Sequence, residues 1–291
     1  MKIKEYIIEK LLMLSAALTI ATTVGIVAVL LYQSIIFFSE VSILEFLFES
    51  EWTPLFANKK FGIAPLLAAT FLTSIIAILV AVPLGLTIAV YLSEYANKTF
   101  TVVAKPLLEI LAAVPTVVYG FFALFFVTPF LQLFIPGLAG FNALSPGIIM
   151  GIMIIPYITS LSEDALRAVP SSLREASFAM GATRLQTTYK VLIPAALSGI
   201  SGAIILAVSR AIGETMIVAI AAGQQPRLTL DPRVPIETLS TYIVQVSMGD
   251  VPHDSIEYRT IFAAGIALFI LTFLLNNTSF WIRRKFQEKY E

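Results

Sequence analysis

The chain has 291 residues, 58% of them hydrophobic and 13% charged, with a formal net charge of zero and a mean hydropathy of +0.88. A water-soluble domain of this length needs about twice that charge density to cover its surface, so the composition excludes an ordinary soluble globule, and zero net charge gives no hint of a nucleic-acid partner. With no cysteine and a single histidine, His253, disulfides, thiol chemistry and a His/Cys zinc site are excluded as well.

The apolar residues are gathered into runs. Between Lys10 and Glu40 lie 29 uncharged residues, between Lys60 and Glu94 33, between Glu109 and Glu163 53, and between Arg259 and Arg283 23. About 20 apolar residues cross a bilayer as a helix, so the run of 53 holds two spans. The fold class that follows is all-α: a polytopic membrane protein with six transmembrane helices. Helix 1 is expected over Leu11–Phe38; it outruns a signal-peptide core and lacks a small-residue cleavage site, so it reads as retained. Helix 2 covers Pro65–Leu92 and helix 3 Val102–Phe130. Pro129, Pro136, Gly137 and Gly140 then mark a turn before helix 4 at Ser145–Leu161. Helix 5 covers Leu197–Ala222 and helix 6 Thr260–Trp281. Residues 1–60 form an N-terminal span with its outer segment, and 61–291 a core of five spans.

Basic residues in the connections set the orientation. With the N-terminus inside, the inner segments carry 13 Lys and Arg and the outer segments five, the remaining one being Arg210 within helix 5. Both termini are therefore expected in the cytoplasm. The outer segment Ser39–Ala64, with Trp52 and four glutamates, reads as a loop at the membrane surface. In the outer segment Gly223–Arg259, Ile236, Leu239, Ile243 and Val246 fall at helical spacing between Pro235 and Gly249. An amphipathic helix over Pro235–Met248 is expected there, as lid, plug or docking surface, with Glu237, Thr241 and Gln245 facing water.

The inner segment 163–196 is the most informative. Ser172 with Glu175 fits a capping box, and Thr183 with Gln186 fits a second. Gly181 lies between them, where a left-handed residue would end the first helix. The expectation is a short helix, a glycine corner and a second helix leading to Pro194. Leu173, Ala176, Ser177 and Met180 share one mildly apolar face of the first helix, suited to a groove on another protein or to packing on the bundle.

Glu175-Ala176-Ser177, three residues, Gly181, then nine residues before Val191-Leu192-Ile193-Pro194 is similar to the EAA loop of ABC-importer permeases, with Ser177 in place of the second alanine. In that family the loop is the coupling helix that fits a cleft on the ATPase. The resemblance therefore assigns Glu175, Ala176, Gly181 and Pro194 to ATPase coupling. It also implies a type I ABC importer permease fold. Leu111-Ala112-Ala113-Val114-Pro115-Thr116-Val117-Val118-Tyr119-Gly120 in helix 3, and Arg210-Ala211-Ile212-Gly213-Glu214-Thr215-Met216 in helix 5, resemble phosphate-specific permeases, of the C-type subunit rather than its A-type partner. The partners implied are a second permease subunit (PstA-like), two copies of a nucleotide-binding ATPase subunit, an external phosphate-binding protein and membrane lipid. No G-x-x-x-x-G-K-[ST] loop is present, so ATP and Mg belong to the ATPase, with no cofactor bound by this chain and no enzyme activity of its own.

Arg210 and Glu214 stand out without any family. A charge near the bilayer centre costs about 2.5–3.5 kcal/mol on insertion scales and normally faces protein or a water-filled cavity. Their spacing predicts one helix face, one turn apart. Two readings stay open: a structural pair that locks helix 5, or a substrate pathway in which Arg210 donates to a passing oxyanion and Glu214 balances the empty site. Glu109, four residues after Lys105, reads as an interface charge, and His253 as a solvated loop residue. The leading function is a phosphate importer permease. Alternatives are a permease for molybdate or sulfate, or a stand-alone secondary transporter.

Overall fold

The computed structural model describes residues 2–286, and among these it is helical with no named strand. In chain order the elements are α1 (Lys2–Glu40), α2 (Ile43–Phe48), α3 (Ala64–Val90), α4 (Lys98–Ala113), α5 (Thr116–Phe122), α6 (Thr128–Gln132) and α7 (Leu144–Arg167). Then come α8 (Ser171–Ala179), α9 (Arg184–Thr187), α10 (Ile193–Ala195), α11 (Leu197–Ile212), α12 (Met216–Ala221), α13 (Leu239–Ser247) and α14 (Ile256–Phe286). Four helices are long and apolar enough to cross a membrane, or six if each of two bent pairs is one span. α7 is the central strut. It packs against α3, α11 and α4, and its own face is nearly all buried, including Ile149, Met150, Met153, Ile154 and Ile158. α1 packs on α14 at the edge of the bundle, and Ser34 of α1 donates to the Phe262 carbonyl at 3.0 Å.

Two expected helices are broken. Helix 3 bends by 85° between Ala113 and Thr116. Val114, preceding a proline, is extended at φ −62° and ψ 129°, and Pro115 follows at ψ 135°. The Tyr119 hydroxyl donates to the Leu111 carbonyl at 2.6 Å and so satisfies an acceptor that the break frees. Helix 5 is likewise not continuous from Leu197 to Ala222: α11 ends at Ile212 and α12 begins only at Met216. A second sharp bend, of 71°, lies where residues 184–195 lead into α11.

The outer segments are folded inward rather than lying loose. Trp52 is 1% exposed and meets Phe46 and Tyr242 edge-on at 6.1 and 5.0 Å. The backbone of Thr53 donates to the Lys60 carbonyl at 2.9 Å, which closes the loop over the bundle. The amphipathic helix is shorter than expected, because Ile236 pairs its backbone N–H with the Ala222 carbonyl at 3.0 Å instead of entering a helix. Thr238 is the cap, and Leu239 and Val246 are buried as expected. Glu237 and Thr241, expected in water, are both 1% exposed: Thr241 because α13 packs against both α3 and α14, and Glu237 because it precedes the Thr238 cap in the segment that Ile236 ties to Ala222.

Candidate functional site: broken helices and the coupling corner

The two broken helices meet at their breaks. α5 packs along α12, and a Cβ on Gly120 would stand 2.9 Å from Ile220 Cδ1 and 3.1 Å from the Met216 carbonyl. Glycine is what lets the backbones approach this closely. The segment around Pro115 and the segment around Glu214, 99 positions apart in the chain, thus form one neighbourhood.

Glu214 lies past the end of α11, so it does not share a helix face with Arg210. Its Oε1 accepts from the Met216 and Ile217 N–H groups at 3.1 and 3.4 Å. That carboxylate caps α12, where the helix dipole favours negative charge. Ser240 of α13 donates to the Glu214 carbonyl at 2.8 Å and holds the break from the other side. Arg210 forms no ion pair among the described residues. Its guanidinium sits over the Tyr157 ring at 4.7 Å and remains exposed on the face of α11. The expected one-turn pair is therefore absent, because α11 ends at Ile212 with Gly213 as its cap, before Glu214 is reached.

Tyr157 also lines a cavity of about 350 Å³ between α4 and α7, together with Lys105, Glu109, Ser160 and Glu163. Glu163 is 1% exposed and bound by Lys105 at 3.0 Å and Arg167 at 2.7 Å. Lys105 thus pairs with Glu163 of α7, and Glu109 stays exposed beside it. His253 is exposed and stacks edge-on against Tyr258 at 4.5 Å.

At the C-terminal end of α7 the glycine corner forms as expected. Gly181 has φ +82°, and the Thr183–Gln186 capping box is complete, with N–H to side-chain distances of 2.9 and 3.3 Å. The first capping box does not form. α8 begins at Ser171 with Pro170 as its cap, which places Ser172 inside the helix. The shared face is also divided. Leu173 packs inward against Leu166, Val169 and Leu192, and the Ser177 hydroxyl bonds Thr187 at 2.8 Å. The exposed residues of this corner include Glu175, Ala176, Phe178 and Met180, the last 88% exposed, and Pro194 is exposed within α10. Arg174, not singled out from sequence, clamps the corner: it binds Glu94 at 2.8 Å and the Leu166 carbonyl at 3.0 Å. Only its position next to the Glu175 motif could have flagged it.

Residues 81–290 match the family of binding-protein-dependent transport system inner membrane components. A probable ABC transporter permease of Bacillus subtilis is 36% identical over 264 residues, covering 91% of this chain and 84% of the relative. The phosphate transport system permease protein PstC of Mesorhizobium japonicum is 36% identical over 252 residues, covering 79% and 75%. Among solved structures, an inward-facing MetNI methionine ABC transporter superposes with a TM-score of 0.57 at 22% identity, covering 78% of this chain and 95% of that one. A bacterial alginate importer superposes at 0.59 with 15% identity, covering 91% and 96%. These two likenesses carry the fold: a type I ABC importer permease. By the family match and the relatives together, the chain belongs to the inner-membrane permease components of binding-protein-dependent ABC transport systems.

Proposed function

We propose that this chain is the PstC-type permease of an ATP-driven importer and passes inorganic phosphate across the cytoplasmic membrane. The observation that carries the reading is its 36% identity to a PstC phosphate permease over 252 residues, supported by PstC relatives from Xylella fastidiosa and Methanocaldococcus jannaschii at 31%. Both termini lie in the cytoplasm, as the basic residues favour. A PstA-like permease covers the face of α11 that displays Arg210. A phosphate-binding protein delivers substrate at the opposite end from α8.

Arg210, without an ion pair among the described residues, offers a passing oxyanion a guanidinium steadied by the Tyr157 ring. Glu214 shapes the pathway by keeping α12 capped at the break. Glu175, Ala176, Gly181 and Pro194 belong to the corner that engages the ATPase, with Phe178 and Met180 as its exposed apolar contacts. The chain itself binds no cofactor; its ATPase partners use ATP and Mg.

The test is ATP-dependent uptake of radiolabelled phosphate by proteoliposomes carrying the assembled importer. Phosphate uptake that sulfate and molybdate do not compete away is expected. Uptake of molybdate or sulfate in its place would overturn the substrate, and uptake by this chain without the ATPase would overturn the class. Gly181→Val should uncouple the same preparation. Open space surrounds Gly181, so the strain comes from its φ alone, about 1–2 kcal/mol or more for a branched residue. The expected signs are lost co-purification with the ATPase and at least a tenfold fall in uptake, with membrane insertion retained.

A further inference from the structure

A second polar cavity lies at the end of the bundle opposite α8. The segment between α12 and α13 returns to the start of α7, where the Leu144 N–H meets the Pro232 carbonyl at 2.9 Å. Beside it is a cavity of about 370 Å³, room for an oxyanion and several waters at about 30 Å³ per water. Its walls carry Gln224, Gln225, Arg227 and Gln245 together with Trp52 and Glu237. Glu237 is 1% exposed, and its Oε1 has no hydrogen-bond partner. A buried polar oxygen without a partner costs about 1–3 kcal/mol, so a ligand that satisfies it gains directly.

We infer that this cavity is a binding site for an oxyanion that carries its own proton, hydrogen phosphate being the chemical class, with Glu237 as the residue that shares that proton. The wall otherwise carries one guanidinium and three carboxamides against a single carboxyl group; Gln224 already donates to the Ala219 carbonyl at 3.1 Å and Arg227 to Gln225 Oε1 at 3.3 Å, which leaves Gln225, Gln245 and the remaining guanidinium N–H groups as donors. A cation would meet Arg227, whereas an anion is welcomed by it. Burial pushes the Glu237 carboxyl up to about 8, so at neutral pH it is largely uncharged and does not repel an anion. The other titratable groups around it are few. Tyr242 of α13 is itself held protonated by burial. Glu257 of α14 is taken by Lys59, and Lys60 by Glu49 and Glu51. The outer end of α3 contributes none.

The proton balance makes the inference specific. Above pH 8 the empty site holds a carboxylate. Hydrogen phosphate brings the proton that bridges its own oxygen to Oε1, so binding takes up none from solvent. Sulfate and phosphodiesters bring no proton, so each must draw one from solvent onto Glu237. Linkage then weakens them about tenfold per pH unit above 8, while phosphate binding stays level. A lipid headgroup, being a phosphodiester, follows sulfate. The inference uses the phosphate-import reading only for its choice of anion.

Trp52 lines the cavity, and Trp281→Phe leaves it as the sole tryptophan, so its fluorescence in the full-length chain in nanodiscs reports occupancy. Inorganic phosphate, sulfate and dimethyl phosphate are titrated between pH 7 and 9.5. The expected result is a saturable phosphate response that varies less than threefold between pH 8 and 9.5, against a tenfold loss per unit for the other two over the same range. Glu237→Gln, which cannot share a proton, is expected to make all three pH-independent. Absence of a saturable phosphate response, equal slopes for the three anions, or a slope difference that survives Glu237→Gln would each overturn the inference. Binding with these slopes alongside an assembled importer that fails to take up phosphate would support the site and sink the transport reading instead.

Discussion

Glu163 and Glu237 are equally buried, each 1% exposed, yet they sit in opposite electrostatic circumstances. Glu163, near the C-terminal end of α7, is gripped by Lys105 and Arg167. Glu237, at the other end of the bundle, has among the described residues no cation bound to it and an oxygen without a partner. The surroundings of Glu163 resemble a girder, since Arg174 and Glu94 add a second ion pair at the same end. Arg210 belongs with Glu237: both are charges or potential charges that the chain leaves uncompensated. The lesson is a division of labour. Compensated charges fix the architecture, and uncompensated ones are available to a ligand.

The division can be broken by substitution. The largest effect is expected from Arg210→Gln. Uptake normalised to assembled complex should fall at least tenfold with assembly unchanged, and lysine should restore only part of it, because a point charge lacks the planar fork that matches an oxyanion. Near-normal normalised uptake would move Arg210 into the structural class.

Next comes Glu237→Gln, where thermal unfolding of the purified chain is the measurement. A carboxyl raised from 4.5 to about 8 binds more protons folded than unfolded between those values, so wild-type stability falls as pH rises through that window. The variant should be more stable than wild type at pH 8, by up to a few kcal/mol, and indistinguishable near pH 4.5. A destabilised variant at pH 8 would show that the carboxyl is compensated after all.

Arg174→Gln removes one ion pair and the hydrogen bonds to the Leu166 and Val169 carbonyls. A loss of about 2 kcal/mol is expected. Protease sensitivity at residues 168–183 and weaker ATPase co-purification should accompany it, whereas an unchanged corner would deny Arg174 its clamping role. The smallest effect is expected for Glu163→Gln, about 1 kcal/mol, because Lys105 and Arg167 are 38% and 49% exposed and water screens what the carboxylate no longer neutralises. Thermal unfolding reads the loss, and selective loss of transport without it would place Glu163 among the ligand-binding charges.

Much of the architecture was legible locally. The long apolar runs located the membrane helices because bilayer thickness fixes their length. Gly181 and the Thr183–Gln186 box located the glycine corner because both signals act within one turn. The break in helix 5 was not legible: a single glycine in an apolar run is ordinarily tolerated. What ends α11 there is Gly213 together with a Glu214 carboxylate drawn to the next helix and a hydroxyl donated from Ser240, 26 positions away. The inward side of α8 was not legible for a related reason. Helical spacing groups Leu173 with Met180 but cannot say which of them the bundle covers.

The sequence by itself determined the spans, the corner, the motifs of an importer permease and the presence of an arginine inside the membrane, all of which depend on spacing along the chain. Only the tertiary structure decided which charges are compensated. Lys105 reaches Glu163 across 58 positions, and the segment leading into α13 turns Glu237 inward, where it shares a cavity wall with Tyr242 and Trp52 although periodicity put it in water. Desolvation and pairing depend on every element that packs around a group, and no local pattern in the chain carries that information.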